Sequence, residues 1–123
     1  HNHAFEFQEI EGKKIYDTLL DETDPDLVTM EMDLYWTYRG NCDPLEYFEK
    51  YPGRFELWHV KDMESGDDQF FAEVGHGILD IEKLFAAKKQ AGLAYYFVEQ
   101  DASRRDPMES VQMSVEFLKK SNF

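Results

Sequence analysis

The sequence predicts an α/β fold, namely half of a (β/α)₈ barrel in which four parallel strands alternate with helices. Three observations lead to this prediction. Strand-type and helix-type segments alternate along the chain, and each helix must return the chain across the sheet, which makes the strands parallel. Several strand-type segments end in an acidic or imidazole side chain. The 123 residues are half of the roughly 250 that a complete barrel takes.

The composition is that of one folded domain over residues 1–123. The chain is 42% hydrophobic and 15% aromatic, which argues against disorder. Its formal net charge of −13 disfavours nucleic acid and anionic membranes as partners. No apolar run approaches the roughly 18 residues that cross a bilayer, and the single cysteine, Cys42, excludes an internal disulfide. We therefore expect a small-molecule partner.

The chain opens at His1 with neither an initiator Met nor a signal-peptide pattern. We expect that an upstream segment has been lost, so that residues 1–7 are the end of a first strand whose beginning is missing. The localisation that we favour is cytoplasmic, and a periplasmic one stays open if a signal was removed.

The predicted elements follow one another in order. Strand-type segments cover residues 1–7, 27–33, 55–62 and 93–99, and helical patterns cover 11–22, 44–51, 81–91 and the residues after Pro107. Asp43 before Pro44, and Asp80, predict helix starts, and Gly92 predicts a helix end. Residues 34–41 and 63–79 are predicted loops, and the last helix is expected to carry Val111, Val115 and Leu118 on one side.

Three polar side chains occupy equivalent positions at the predicted strand ends. Because side chains alternate along a strand, His59 follows the interior face of its strand, as Asp33 and Glu99 do on theirs. Carboxylates and imidazole together suit a divalent cation, with Mn²⁺ favoured and Mg²⁺, Co²⁺ or Zn²⁺ as alternatives. The competing interpretation is that polar residues simply mark where strands meet water, and the pattern alone leaves both open.

The neighbours of these strand ends add further candidates. Lys61 is either an acid/base group or a contact to a substrate oxygen, with an ordinary exposed lysine as the alternative. His1 and His3 resemble a His-x-His metal pair, but they are equally suited to binding substrate.

Two aromatic residues and one acidic residue are candidate substrate contacts. Tyr35 and Trp36 are expected either to wall a sugar pocket or to pack in the core. Glu73 precedes Gly75-x-Gly77, and a tight turn there would present its carboxylate at the rim.

Six segments together resemble the sugar phosphate isomerase/epimerase family, the xylose isomerase-like TIM-barrel group that also includes inosose dehydratases. The resemblance covers essentially all 123 residues in the order of the family, and the segments are His1-Asn2-His3-Ala4-Phe5-Glu6-Phe7, Asp33-x-Tyr35-Trp36, Asp43-Pro44, Gly53-Arg54 to His59-x-Lys61-Asp62-Met63, Glu73-x-Gly75-x-Gly77-x-x-Asp80 and Val98-Glu99-Gln100-Asp101.

This resemblance implies that the chain is the C-terminal half of the barrel, strands five to eight. It implies a divalent cation held by Asp33, His59 and Glu99, with His1 near the position where the family commonly has a Glu. The implied reaction is proton transfer next to the carbonyl of a sugar or sugar phosphate through an enediolate, with Glu99 as ligand and base together. Lys61 or His3 would then steady the developing oxyanion.

The implied activity is that of a metal-dependent isomerase or epimerase. The alternatives are a lyase or dehydratase of the same fold, acting on an inosose or a 3-keto-glycoside, and an inactive half-barrel that only binds sugar. A half-barrel leaves two open sheet edges, so we expect a homo-oligomer or pairing with the missing N-terminal half.

Overall fold

The computed structural model describes residues 1–123 and has a parallel sheet of three strands at its centre. The strands are β3 (Glu31–Asp33), β4 (Leu57–Val60) and β7 (Tyr95–Val98), with β4 in the middle. Their register places Asp33 beside His59 and His59 beside Phe97. This arrangement confirms the predicted α/β class, in which parallel strands alternate with helices.

Six helices surround the sheet, and their ends follow the predicted capping residues. Asp43 accepts a hydrogen bond from the Leu45 amide at 2.9 Å, Asp80 accepts one from the Lys83 amide at 3.0 Å, and Gly92 ends its helix with a φ of 84°. The helices are α1 (Ile15–Glu22), α2 (Leu34–Arg39), α3 (Pro44–Lys50), α4 (Ile81–Ala86), α5 (Lys88–Ala91) and α6 (Pro107–Lys120).

Two predicted elements are wrong. The segment expected to end a first strand instead forms a 3₁₀ turn over Ala4–Phe7, so the sheet has three parallel strands rather than four. Residues expected to form a loop after β3 form α2, because the Asp33 carboxylate accepts a hydrogen bond from the Trp36 amide and caps the helix directly.

Two short hairpins lie outside the parallel sheet. One pairs β1 (Glu9–Ile10) with β2 (Lys13–Lys14), and the other pairs β5 (Asp62–Met63) with β6 (Phe71–Ala72). The second hairpin gives structure to the segment 63–79, which the sequence predicts as a loop.

The core lies on the face of the sheet opposite the predicted site. Trp58 is fully buried there, with its ring parallel to that of Phe48 at 5.0 Å and edge-on to that of Phe85 at 5.5 Å. Its neighbour His59 points to the other face, because successive side chains of a strand alternate. Helices α3 and α4 therefore cover one side of β4 and leave the other side for polar side chains.

Apolar side chains are exposed on both β7 and α6. All four residues of β7 are exposed, and in α6 Val111 is 54% exposed. Val111 and Val115 are exposed, because Ser110 and Ser114 face inward and bind the segment before Gly75. None of the helices combines the length and apolarity that crossing a bilayer requires.

Candidate functional site

Asp33, His59 and Glu99 lie together at the carboxyl ends of the three parallel strands. The His59 Nδ1 atom is 2.8 Å from Glu99 Oε2 and 3.6 Å from Asp33 Oδ2. Asp33 and His59 are buried, whereas the Glu99 side chain is 41% exposed. The alternation of side chains along the strands thus brings together the three residues that the sequence singles out.

Lys61 lies inside this group rather than on the surface. Its Nζ atom is 2.7 Å from Asp33 Oδ2, 3.0 Å from Glu99 Oε2 and 3.1 Å from Asp101 Oδ1, and the residue is 2% exposed. Burial by itself lowers the pKa of Lys61, but the hydrogen bonds that Lys61 donates to these carboxylates outweigh it and raise that pKa above its usual range. The raised pKa favours the ammonium form of Lys61 and so a role as a positive charge in the site.

Burial has the opposite effect on the partner of Lys61. It raises the pKa of the fully buried Asp33 above its ordinary value, although the Lys61 ammonium and the Trp36 amide both act to lower it. The attraction of the Lys61 ammonium therefore offsets only part of the free-energy cost of burying the ionised Asp33 carboxylate.

Two further side chains surround His59. The His1 ring lies 4.4 Å from the His59 ring, and the Glu31 carboxylate is 3.2 Å from His59 Nε2. The sequence analysis does not select Glu31 as a candidate. The signal for it was present, because Glu31 stands two residues before Asp33 and therefore on the same face of β3.

The donors in this group fit a divalent cation. Ligand atoms of His1, Asp33 and His59 all lie within 4.8 Å of one another. His59 Nδ1 is buried without a hydrogen-bond partner, because the nearby Glu99 oxygen lies off the direction of the ring N–H. A buried nitrogen without a partner, next to carboxylate oxygens, matches the mixed imidazole and carboxylate set that Mn²⁺ or Zn²⁺ accepts.

The charge of the group also leaves room for a cation. One ammonium, that of Lys61, faces several carboxylates, so negative charge is in excess at this edge of the sheet. Close carboxylates repel one another in a partly buried site, and a bound cation relieves that repulsion. The carboxylates are those of Glu31, Asp33, Glu99 and Asp101.

His3 and Trp36 continue the site outward. The His3 ring lies 4.8 Å from the His1 ring and 5.4 Å from the Trp36 ring, so a row of rings leads from His59 toward the surface. Both His3 and Trp36 are partly exposed. They therefore border the space next to the cation-binding group.

Tyr35 and Glu73, the other candidate substrate contacts, are engaged by other parts of the chain. Tyr35 is fully buried, with its ring 4.4 Å from that of Phe71, so it packs in the core. The Glu73 carboxylate accepts a hydrogen bond from the Ser110 hydroxyl at 2.8 Å and pairs with Arg105 at 3.1 Å. Glu73 therefore holds helix α6 in place.

Asn2 positions the two histidines beside it and was missed by the sequence analysis. Its side chain is 2% exposed, accepts a hydrogen bond from the Asp33 amide at 2.9 Å, and donates one to the Asp33 carbonyl oxygen at 3.2 Å. These bonds take the place of a neighbouring strand at the open edge of β3. They bring His1 next to His59.

Asp62 organises the loop behind the site. Its buried carboxylate accepts hydrogen bonds from four backbone amides, those of Met63, Gly75, Gly77 and Leu79. A side chain at position 77 would collide with this carboxylate, since a Cβ there would lie 2.3 Å from Asp62 Oδ1. Gly77 is therefore required by close packing around Asp62, whereas Gly75 has a φ of 84° and lies against the Phe117 ring.

Comparisons with known proteins agree with this architecture. No protein-family model matches the chain. Inosose dehydratase of Lacticaseibacillus casei is 25% identical over 121 residues, which cover 83% of this chain and 41% of that protein, and inosose dehydratase of strain BL23 matches equally at 40% of its length. The crystal structure of a sugar phosphate isomerase/epimerase from Parabacteroides distasonis ATCC 8503 superposes with a TM-score of 0.84 and 32% identity.

The extent of these matches limits what they establish. The superposition covers 98% of this chain but 44% of the Parabacteroides distasonis chain, so the chain spans less than half the length of the proteins it matches. Within that span the predicted resemblance in fold is confirmed.

Proposed function

We propose, from the fold that this chain shares with sugar phosphate isomerase/epimerase structures, that it carries the divalent-cation centre of a sugar-modifying enzyme. The reaction is isomerisation or epimerisation of a sugar or sugar phosphate by proton transfer next to its carbonyl, through an enediolate. The observation that carries the proposal is the convergence of Asp33, His59 and Glu99 at three neighbouring strand ends. Active sites of barrel enzymes lie at that end of the strands.

The residues that would hold the cation are His1, Asp33, His59 and Glu99. Their oxygen and nitrogen donors favour Mn²⁺, with Mg²⁺, Co²⁺ or Zn²⁺ as alternatives. When bound, such a cation polarises the substrate carbonyl and makes the neighbouring C–H more acidic.

Lys61 and Glu99 divide the remaining work. The Lys61 ammonium, held by Asp33 and Asp101, is a fixed positive charge whose remaining N–H, which faces Glu99 Oε2 at 3.0 Å, would donate a hydrogen bond to the substrate oxygen on which negative charge develops. Glu99 is the most exposed of the three carboxylates close to His59 and takes up the proton from carbon. His3 stands beside the same space, as a second donor to that oxygen, and Trp36 supplies an apolar ring for the sugar to stack on.

Mn²⁺ titration by calorimetry tests the cation centre. The chain is acetylated at its α-amino group, so that this amine cannot bind metal. His1→Ala removes one imidazole donor, and we expect Mn²⁺ affinity to fall at least about tenfold. The matched control is His76→Ala, since His76 is an exposed histidine outside the site. Equal Mn²⁺ affinity in both variants and the unmodified chain would contradict the proposed centre.

Deuterium uptake from solvent tests the reaction. D-fructose and its phosphate esters are incubated with the Mn²⁺-loaded protein in D₂O, and mass spectrometry follows deuterium at the carbon next to the carbonyl. We expect uptake that Glu99→Gln abolishes and that the surface variant Glu82→Gln leaves unchanged. Absence of deuterium uptake by both the unmodified protein and Glu82→Gln would count against an isomerase.

A dehydratase is the second candidate, because two curated inosose dehydratases match the chain. The same proton abstraction leads to elimination if a hydroxyl group leaves from the adjacent carbon. With 2-keto-myo-inositol as the probe, loss of water from the product identifies the dehydratase, whereas deuterium uptake without loss of water identifies the isomerase or epimerase.

The partner that we propose for the open sheet edge is the other half of the barrel or a second copy of this chain. All four residues of β7 are exposed, and α6 carries an exposed apolar stripe formed by Met108, Val111 and Val115. Unpaired strand edges and contiguous apolar surface favour association.

A further inference from the structure

A groove lies beside the cation-binding group. Its volume is about 530 Å³, and the side chains that define it are His3, Phe5, Trp36 and Arg39. The Phe5 ring is 56% exposed and lies parallel to the His3 ring at 5.9 Å. The groove is thus walled by aromatic rings and opens to solvent.

The groove differs in charge from the rest of the chain. Of the 123 residues 26 are acidic, yet none of the nine residues that line the groove is Asp or Glu. Among those nine residues, Arg39 is the one lysine or arginine. In a protein with a formal net charge of −13, a carboxylate-free groove that carries a guanidinium is a local positive site.

Arg39 has no carboxylate partner within 4.0 Å, in contrast to Arg104 and Arg105, which pair with Glu64 and Glu73. The Nη1 atom of Arg39 donates three hydrogen bonds, one to the Tyr35 hydroxyl and two to backbone carbonyls. The guanidinium carbon also lies 5.7 Å from the centre of the Trp36 ring. The guanidinium is therefore held in place by neutral groups, while its charge remains uncompensated.

The groove is continuous with the site through the histidines. His3 lines the groove, its ring is 4.8 Å from the His1 ring, and the His1 ring is 4.4 Å from the His59 ring. A sugar whose reacting carbonyl lies next to His59 would extend along these rings toward Arg39.

We propose that this groove is a subsite for an anionic group, a phosphate or a carboxylate, at the end of the sugar distant from the reacting carbonyl. The inference rests on the proposed function, because it takes the substrate to be bound at His59. Trp36 stacks on the carbon skeleton, and Arg39 binds the anionic group through its unused N–H donors. Arg39 then determines specificity, selecting acidic sugars over neutral ones.

Ligand binding with three probes tests this subsite. The dissociation constants of D-fructose, its 6-phosphate ester and D-fructuronate are measured by calorimetry on the Mn²⁺-loaded protein. We expect at least one anionic probe to bind about tenfold or more tightly than D-fructose, since a hydrogen bond between two charged groups is stronger than one to a neutral hydroxyl. The tighter of the two anionic probes identifies the source as phosphate or carboxylate.

Variants separate recognition from a purely structural role. Arg39→Gln should abolish the preference for the anionic probes, and Arg39→Lys should restore part of it. Tyr35→Phe removes one hydrogen-bond acceptor of Arg39 Nη1 but keeps the Arg39 charge. We therefore expect this variant to keep the preference for the anionic probes. Equal affinity for all three probes in the unmodified protein, absence of binding by any anionic probe, or an equal loss for neutral and anionic probes in Arg39→Gln would overturn the proposal.

Mn²⁺ titration keeps the two proposals apart. Arg39→Gln should bind Mn²⁺ as tightly as the unmodified protein, because Arg39 contacts none of the cation-binding residues. Normal Mn²⁺ binding without a preference for anionic probes refutes the subsite alone, whereas loss of Mn²⁺ binding in His1→Ala and His76→Ala alike refutes the centre.

Discussion

Replacing the buried carboxylate Asp62 with its neutral isostere should destabilise the fold. Oδ1 of Asp62 accepts from the Met63 and Leu79 amides at 2.8 and 3.1 Å, and Oδ2 accepts from the Gly75 and Gly77 amides at 3.0 and 2.9 Å. In Asp62→Asn one oxygen becomes an NH₂ group, which cannot accept. Two backbone amides therefore lose their acceptor whichever way the amide side chain turns.

The expected loss follows from these contacts. Each buried amide left without an acceptor costs about 1 to 3 kcal/mol, which gives roughly 2 to 6 kcal/mol for two. Removing the charge recovers part of this cost, because burial raises the pKa of Asp62 and so disfavours its ionised form. We expect a net decrease of about 2 to 4 kcal/mol in the free energy of unfolding.

Urea unfolding followed by tryptophan fluorescence measures this change, since Trp58 lies in the core. The matched control is Asp67→Asn, an exposed aspartate in the same segment, for which we expect a change within about 0.5 kcal/mol. If Asp62→Asn unfolds at the same urea concentration as the control, the four hydrogen bonds do not hold the loop.

Three further changes have definite expected outcomes. Asn2→Ala leaves the backbone amide and carbonyl of Asp33 without their partners, so we expect about 2 kcal/mol lower stability by urea unfolding and weaker Mn²⁺ binding by calorimetry, and unchanged values would contradict its positioning role. Burial acts to raise the pKa of Glu73, but the hydrogen bond from Ser110 and the charge of Arg105 lower this pKa overall. The ionised Glu73 carboxylate therefore stabilises the fold above the unfolded pKa of about 4.3, and this stabilisation is lost as pH falls through the lower folded pKa. Glu73→Gln should therefore be less stable than the unmodified protein by about 1 kcal/mol at pH 7, with the difference shrinking toward pH 3 in urea titrations, and a difference that grows on acidification would refute this. If a second copy covers the exposed stripe of α6, Val111→Lys should lower the mass measured by light scattering, whereas Lys89→Glu on the exposed surface should not; the same mass for both variants would exclude that interface.

Part of the candidate site follows from the periodicity of the strands alone. Residues two apart on a strand share a face, and the ends of parallel strands meet at one edge. These two rules place Asp33 beside His59 before any coordinates are known, and the register of β3 and β4 agrees with that placement. Glu31 could have been found by the same rule.

Other features of the site depend on contacts between distant segments. Asn2 binds the backbone of Asp33, which is 31 residues away, and this contact fixes the position of His1. Tyr35 and Trp36 are adjacent aromatic residues, and only the packing of Phe71 against Tyr35 makes one of them core and leaves the other at the groove.

The sequence by itself determined the α/β class, the helix caps at Asp43 and Asp80, and the face of each strand that carries polar groups, because these depend on local hydrogen bonds and on the two-residue repeat of a strand. The tertiary structure alone decided that Lys61 is a buried ammonium among carboxylates and that Arg39 is held in a groove free of carboxylates. The physical reason is that the charge state and accessibility of a side chain depend on what surrounds it in space, and most of those neighbours come from other parts of the chain.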